Sequence, residues 1–116
     1  MAGIPSAAQG RLAVVTLPAE IDFANASALS AQLTAVLCPG VSAVIADMTA
    51  TRFCDSAGIR MLILASEYAV AHDSELRLLA PDQAVVRTMT IMGVDKLLST
   101  YPTLDQAVAS DPDPCR

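Results

Sequence analysis

The chain reads Phe53-Cys54-Asp55-Ser56-Ala57-Gly58-Ile59-Arg60 where two of its apolar segments meet. The segment before it, Val41 to Met48, is continuously apolar at its centre, which is typical of a parallel strand covered on both faces. The segment after it, Ile59 to Val70, has the strongest helical spacing of apolar residues in the chain. We therefore predict that this stretch turns a buried strand into a helix. That helix is expected to bury Ile59, Leu62, Ile63, Ser66 and Val70.

Ser56 stands where the predicted helix begins. A serine at such a position can cap the helix, because its side-chain oxygen accepts hydrogen bonds from the free N–H groups of the first turn. The same N–H groups and the positive end of the helix dipole favour a phosphate group there. Caps are common and phosphate acceptors are rare, so the spacing alone favours a plain cap over a modification site.

Strand patterns and helical patterns alternate along the rest of the chain. This alternation predicts βαβ crossovers and a single α/β domain, with a small, mostly parallel mixed sheet and helices packed against it. We place the domain at residues 11–109, between a flexible N-terminal lead-in at 1–10 and a mobile C-terminal tail at 110–116. The predicted strands are Leu12–Leu17, Val41–Met48, Glu75–Ala80 and Leu98–Tyr101, and helices are expected at 25–37, 56–70, 81–93 and 103–108.

Composition and charge exclude several classes of function. The chain has 116 residues, 53% hydrophobic and 3% aromatic, with a formal net charge of -5. Its Lys and Arg residues are scattered, so no basic stripe is available for nucleic acid. The apolar run 59–71 is interrupted by Arg60 and Glu67 and is too short to span a bilayer. With no signal-peptide pattern in residues 1–10, we expect a cytoplasmic protein that does not insert into membranes.

The sequence also offers neither a metal site nor a catalytic pair. Cys38, Cys54 and Cys115 form no CxxC motif, so neither a zinc site nor a disulfide framework is predicted. The single histidine, His72, lies 16 residues beyond Ser56 on the same predicted helix. That separation is about 24 Å, whereas a Ser–His pair needs about 3 Å. We expect no cofactor and no intrinsic catalysis, which makes a small hydrolase acting through Ser56 the least favoured function.

Four sequence landmarks resemble those of the STAS domain. The first, Asp55-Ser56-Ala57-Gly58, is similar to the family's phosphorylation loop, Asp-Ser-(Ser/Thr/Ala)-Gly. The second, Ala19-Glu20-Ile21-Asp22, resembles Gly-Glu-(Leu/Ile)-Asp, with an alanine in place of the usual glycine. Asp47 matches a polar strand end, and 91–98 resembles the closing Gly-(Leu/Val)-x-x-(Leu/Ile) segment. Because the landmarks occur in the right order between Arg11 and Val108, the chain most resembles the small anti-sigma factor antagonists of this family.

The resemblance implies roles for the residues around the serine. It makes Ser56 a regulatory phosphate acceptor, and Ala57 beside it leaves only one hydroxyl in the loop. Asp22 and Asp55 would otherwise be read as solvated acids at strand ends. The resemblance implies that they lie near the serine and contribute to the surface that a kinase reads.

Gly58 and Arg60 each allow two readings. Gly58 is either a packing requirement or room for the close approach of a partner, and we expect both. Arg60 shares a helical face with Ser56, and is either a solvated charge or a group that meets phosphate. Arg77, in the strand predicted at 75–80, lies away from the loop, so charge reversal there is expected to change partner binding little. The partner-binding residues predicted together are Asp22, Asp55, Ser56, Ala57, Gly58 and Arg60.

The implied function is that of an anti-sigma factor antagonist. Unphosphorylated at Ser56, such a protein binds an anti-sigma factor that is also a serine kinase, using ATP and magnesium, and so frees a sigma factor. Phosphorylation releases the complex and a phosphoserine phosphatase restores it. The alternative is a STAS-type binding module in a stressosome-like scaffold or a membrane transporter complex.

Overall fold

The computed structural model describes residues 11–109. The lead-in predicted at 1–10 and the tail predicted at 110–116 lie outside the described residues. The strands are β1 (Arg11–Thr16), β2 (Glu20–Ile21), β3 (Val41–Asp47), β4 (Phe53–Cys54), β5 (Leu76–Leu79) and β6 (Ser99–Tyr101). The helices are α1 (Ala26–Ala35), α2 (Ser56–Ala71), α3 (Gln83–Ile91) and α4 (Leu104–Ala109), with a short 3-10 helix at Asp95–Leu97.

The main sheet has four strands in the order β1-β3-β5-β6, and every pairing in it is parallel. The α/β architecture expected from the alternating pattern is thereby confirmed. A separate two-stranded parallel sheet pairs β2 with β4. Neither of these strands was predicted, because two residues are too few to show an alternating pattern. Within residues 11–109, no helix has the length and apolar character needed to cross a membrane.

Helices α1 and α2 pack on one face of the main sheet and enclose most of the core. α2 presents small residues to its neighbours: Gly58, Ala65 and Ala69 are all buried, which allows a close approach of the helix backbone. Ile59 and Leu62 are fully buried, as predicted. The expectation for Val70 is wrong, since its side chain is 65% exposed. The buried face of α2 carries Gly58, Ala65 and Ala69, and Val70 in the last turn lies outside that face.

The other face of the sheet is covered by α4. Ile45, Leu79 and Ala107 form a small cluster there. Arg77 is buried under α4 with only 1% of its surface exposed, and its guanidinium donates to the carboxylate of Glu75 and to the carbonyl of Ala107. That charge reversal at Arg77 changes partner binding little stays a prediction. The structure adds a role in the fold: β5 is covered on both faces, and its arginine links the strand to α4.

Candidate functional site

Pairing of the two shortest strands brings two separate loops together. β2 and β4 run parallel, with Ile21 opposite Cys54, so the next residues along each strand, Asp22 and Asp55, leave the sheet at the same end. The Asp55 N–H donates to the Ile21 carbonyl at 3.1 Å and extends the pairing by one bond. Asp22 and Asp55 come from two sequence motifs that are 33 residues apart, and the strand pairing makes them neighbours at the start of α2.

The N-cap of α2 is Asp55 and not Ser56. Asp55 has an extended backbone, and its carboxylate oxygen Oδ1 accepts from the Gly58 N–H at 2.9 Å. Ser56 is the first residue of the helix proper, where it is exposed and its hydroxyl bonds to no described residue. The predicted capping role of Ser56 is therefore wrong. Aspartate and serine cap helices about equally well, so the sequence alone does not decide between adjacent candidates.

The second carboxylate oxygen of Asp55 favours Asp55 over Ser56 as the cap, because it links the start of α2 to the β2–α1 loop. Oδ2 accepts from the Phe23 N–H at 3.2 Å, while Oδ1 caps α2. One carboxylate thereby fixes the β2–α1 loop against the first turn of α2. A serine hydroxyl, with a single oxygen, does not span both positions.

Asp22 organises the β2–α1 loop in a similar way. Its Oδ1 accepts from the N–H groups of Ala24 at 2.9 Å and Asn25 at 3.3 Å. Its own N–H donates to Oδ1 of Asn25 at 2.9 Å, and the Asn25 amide donates to the carbonyl of Glu20 at 2.8 Å. Asp22 and Asp55 are therefore not simply solvated acids. Each accepts backbone hydrogen bonds that fix the shape of the β2–α1 loop.

Gly58 lies where α2 crosses the two short strands. A Cβ at this position would come within 2.6 Å of Cys54 Sγ and 2.7 Å of Ile21 Cγ2, closer than carbon atoms ordinarily approach. The residue is buried, so the packing role predicted for it has a direct geometric cause. Cys54 is buried as well, and burial followed by the charge of Asp55 raises its thiol pKa to about 12. The thiol stays protonated at neutral pH and is no nucleophile.

Two exposed phenylalanines belong to the segments that meet at Asp55: Phe53 begins β4, and the Phe23 N–H bonds to the Asp55 carboxylate. Phe23 is 85% exposed and Phe53 is 51% exposed, and these are the only two phenylalanines in the chain. Phenylalanine is usually buried, and exposed aromatic rings are typical of protein-binding surfaces. Our sequence reasoning did not identify either ring. The available signal was their position, since Phe23 follows Asp22 directly, Phe53 lies two residues before Asp55, and neither belongs to a predicted core face.

A groove of about 440 Å³ runs between α1 and α2 beside the serine. Arg60 stands at this groove, exposed, and no carboxylate of a described residue lies within ion-pair distance of it. Among the residues that the structure describes, Arg60 is the only charged one in the lining. The groove is lined from α2 by Ala57, Arg60, Met61 and Leu64 and from α1 by Ala26, Ser27, Ser30 and Ala31.

The groups needed for catalysis are not brought to Ser56. His72 caps the far end of α2, where its ring stacks on Tyr68 and its Nδ1 lies 2.8 Å from the Tyr68 carbonyl. Ser56 and His72 therefore stand at opposite ends of one helix of 16 residues. Among residues 11–109, no group of three or more His, Cys, Asp or Glu side chains is placed to hold a metal ion.

Several known proteins are similar to this chain. The anti-sigma-F factor antagonist RsfB of Mycobacterium tuberculosis is 28% identical over 97 residues, covering 84% of this chain and 79% of RsfB. The crystal structure of an anti-sigma factor antagonist from Mycobacterium paratuberculosis is 30% identical, with a TM-score of 0.74, and the match covers 88% of this chain and 86% of that one.

A third relative shares the fold at lower identity. The anti-sigma factor antagonist SpoIIAA in its unphosphorylated form is 19% identical, with a TM-score of 0.69 and coverage of 84% of this chain and 85% of that chain. Bacillus SpoIIAA has also been solved in its phosphorylated form, which matches with a TM-score of 0.62. The sequence match to the family is broad as well, since the STAS domain model aligns with residues 4–107. The chain belongs to the STAS domain family.

Proposed function

We propose that this protein is an anti-sigma factor antagonist whose partner binding is switched by phosphorylation of Ser56. In its unphosphorylated form it binds an anti-sigma factor that also acts as its serine kinase, using ATP and magnesium, and thereby frees a sigma factor. Phosphorylation releases the kinase, and a phosphoserine phosphatase restores the binding form. These partners place the protein in the cytoplasm.

The observation that carries the proposal is the contrast between Ser56 and the groups around it. Asp22, Asp55 and Gly58 are held by hydrogen bonds or close packing, whereas the Ser56 hydroxyl is exposed and makes no bond to a described residue. A kinase can reach this hydroxyl without unfolding the loop. Modification leaves the cap of α2 in place, because Asp55 supplies it.

The charge of a phosphate explains why binding is lost. Phosphoserine carries about -1.5 to -2 charges at neutral pH. Here that charge is added beside the carboxylates of Asp22 and Asp55, on a chain with a formal net charge of -5. When a partner covers the loop, the phosphate must be desolvated close to these acids. Unfavourable charge placement of this kind costs several kcal/mol at an interface.

The named relatives favour sigma-factor control over the alternatives. Two proteins of 28% and 30% identity that match most of this chain carry the name anti-sigma factor antagonist. SpoIIAA is known in unphosphorylated and phosphorylated forms. A STAS-type module of a stressosome-like scaffold or a transporter complex predicts a different bound partner. A hydrolase acting through Ser56 predicts turnover without any partner, and no histidine lies near that hydroxyl.

Phosphorylation by the cognate kinase tests the proposal. We expect incubation with this kinase and ATP, followed by peptide mass spectrometry, to find one phosphate, on Ser56. Ser56→Ala is expected to remain unmodified while still binding the kinase. Thr49 is a suitable control hydroxyl, because it is exposed in the preceding loop but its Oγ1 donates to Asp47 at 2.8 Å. Modification that persists in Ser56→Ala, or that moves to Thr49 in the wild-type chain, would contradict the assignment.

A further inference from the structure

Arg60 is placed to interact with two different anions. It lies one turn after Ser56 on the continuous helix α2, so the two side chains are neighbours at i and i+4. It also lines the groove between α1 and α2, where it is the only charged residue among the described lining residues. Its guanidinium forms no ion pair with a described carboxylate. Within residues 11–109 of the unphosphorylated protein, this cation therefore has no carboxylate partner at the edge of an apolar groove.

The lining of the groove indicates the chemistry of its occupant. Small residues such as Ala31 and Ala57 allow another backbone to approach closely, and Leu64, 53% exposed, offers an apolar contact. Grooves between two helices commonly take an amphipathic helix whose apolar side chains recur every three or four residues. A carboxylate on the bound segment would complement the single arginine of this lining. The complementary occupant is an amphipathic segment of a protein partner that carries apolar side chains and an acidic one.

A phosphate on Ser56 would compete for the same guanidinium. Phosphate offers three acceptor oxygens, and arginine binds such groups through two parallel N–H···O bonds. Arginine and phosphoserine one turn apart on a helix can form this pair within the chain. No other basic residue of the described part of the chain lines the groove to take the place of Arg60 toward the partner.

We propose that Arg60 is the shared counter-ion of the switch. In the unphosphorylated protein it pairs with a carboxylate of an amphipathic segment of the anti-sigma partner bound in the α1–α2 groove. In the phosphorylated protein it pairs with phosphoserine 56 and is withdrawn from the partner. This inference rests on the proposed function, and adds to it the groove, its occupant and the second effect of the phosphate. Release of the partner then has two causes: the phosphate repels the partner, and Arg60 no longer binds the partner's carboxylate.

A cycle of four binding measurements tests the competition. The affinity of the anti-sigma partner is measured by calorimetry for wild type and Arg60→Gln, each with serine or with phosphoserine incorporated at position 56. We expect Arg60→Gln to weaken binding of the unphosphorylated chain about tenfold, the order of a close interfacial ion pair. We also expect phosphorylation to reduce affinity by a smaller factor in Arg60→Gln than in wild type. If Arg60 only screened the phosphate, the factor would instead grow, and that result, or an unchanged factor, would overturn the proposal.

Matched variants separate the groove from general effects of charge. Lys96 is exposed in the 3-10 helix that leads into β6, at the amino edge of the parallel sheet, whereas α2 begins at the carboxyl edge. Lys96→Gln removes the same charge and is expected to leave both affinities unchanged. Leu64→Gln is expected to weaken partner binding about tenfold without changing the phosphorylation factor. If Leu64→Gln alters self-association and leaves partner binding unchanged, a second copy of the chain occupies the groove and the proposal is wrong.

A partner-free measurement distinguishes failure of this inference from failure of the proposed function. Pairing with Arg60 stabilises the dianionic phosphate, so the second pKa of phosphoserine 56 is expected to rise by about 0.3 unit in Arg60→Gln. Phosphorus-31 NMR titration of the two phosphorylated chains measures this shift. Equal pKa values would contradict the internal pair even if the switch itself works. Equal binding of phosphorylated and unphosphorylated wild type would instead contradict the proposed function.

Discussion

The site around Ser56 and the sheet face under α4 each contain a charged side chain that links two elements of the fold. The two regions differ in what they expose at the surface. Asp55 ties the β2–α1 loop to the start of α2, and Arg77 ties β5 to α4. Under α4 the charged group is buried, with 1% of Arg77 exposed. Around Ser56 the fixed groups adjoin an exposed hydroxyl, and both Phe23 and Phe53 are exposed. The difference shows that the hydrogen-bonded groups around Ser56 hold an exposed surface in a fixed shape.

Removal of Arg77 should have the largest effect on stability. Arg77→Met keeps the length of the side chain but leaves Glu75 and the Ala107 carbonyl without their donor. Loss of one partner from a buried ion pair costs about 3–5 kcal/mol. Because the side chain of Glu75 is 28% exposed, we expect the low end, about 3 kcal/mol, by urea denaturation. Arg60→Met is the matched control and is expected to stay within about 0.5 kcal/mol of wild type. Equal losses would remove the distinction between the two arginines.

Gly58→Ala should produce the next largest loss. The added methyl group meets Cys54 Sγ and Ile21 Cγ2 inside 3 Å, and overpacking of this kind costs about 1–3 kcal/mol. Two contacts inside 3 Å place the cost in the upper part of that range, about 2–3 kcal/mol. Alanine gains about 1 kcal/mol over glycine in a helix, so the net expected loss is about 1–2 kcal/mol. The loss should be smaller when Gly58→Ala is made in a Cys54→Ala background, where one of the two close contacts is gone. A stabilised Gly58→Ala would show that the crossing of α2 over β4 is looser than the structure shows.

Asp55 and Ser56 allow a direct comparison between the residue that caps α2 and the exposed residue that follows it. Asp55→Ala removes the bond to Gly58 and the bond to Phe23, and a lost cap costs about 1–2 kcal/mol. Ser56→Ala removes a hydroxyl that bonds to no described residue, and should change the free energy of unfolding by less than about 0.5 kcal/mol. Thermal or urea unfolding measures both. A larger loss for Ser56→Ala than for Asp55→Ala would return the capping role to the serine.

Cys54 makes the free energy of unfolding depend on pH in the alkaline range. Its thiol pKa is raised from 9.0 to about 12 in the folded chain. Below pH 9 both states keep the proton, but above it the unfolded chain loses a proton that the folded chain retains. The free energy of unfolding therefore falls as pH rises between about 9 and 12, by at most about 1.4 kcal/mol per pH unit. Denaturation near pH 8 and pH 10 should show a steeper fall in wild type than in Cys54→Ala. Parallel falls would contradict burial of the thiol.

Local patterns in the sequence were sufficient for the main elements. The continuous apolar centre of β3 and the helical spacing after Ser56 each have a period that a single segment displays, and both elements formed where expected. The neighbouring placement of Asp22 and Asp55 depends on the pairing of β2 with β4. Strands of two residues show no periodicity, so only the resemblance to the family pointed to that placement.

Features that depend on distant partners were not predicted. The choice of Asp55 over Ser56 as cap rests on a bond to Phe23, 32 residues away. The burial of Arg77 rests on the carbonyl of Ala107, 30 residues away. In both cases the deciding atom belongs to a loop or helix whose position is set by tertiary packing. Propensity and spacing describe neighbours along the chain, and therefore cannot rank these alternatives.

The central claim is that added negative charge at position 56 controls partner binding. Calorimetric titration of the anti-sigma partner with wild type, Ser56→Asn and Ser56→Asp tests it directly, because asparagine and aspartate have nearly the same shape and differ in charge. We predict that Ser56→Asn binds within about threefold of wild type and that Ser56→Asp binds at least about tenfold more weakly, the order expected for a repulsive interfacial charge. Equal affinity of the aspartate and asparagine variants would contradict the claim.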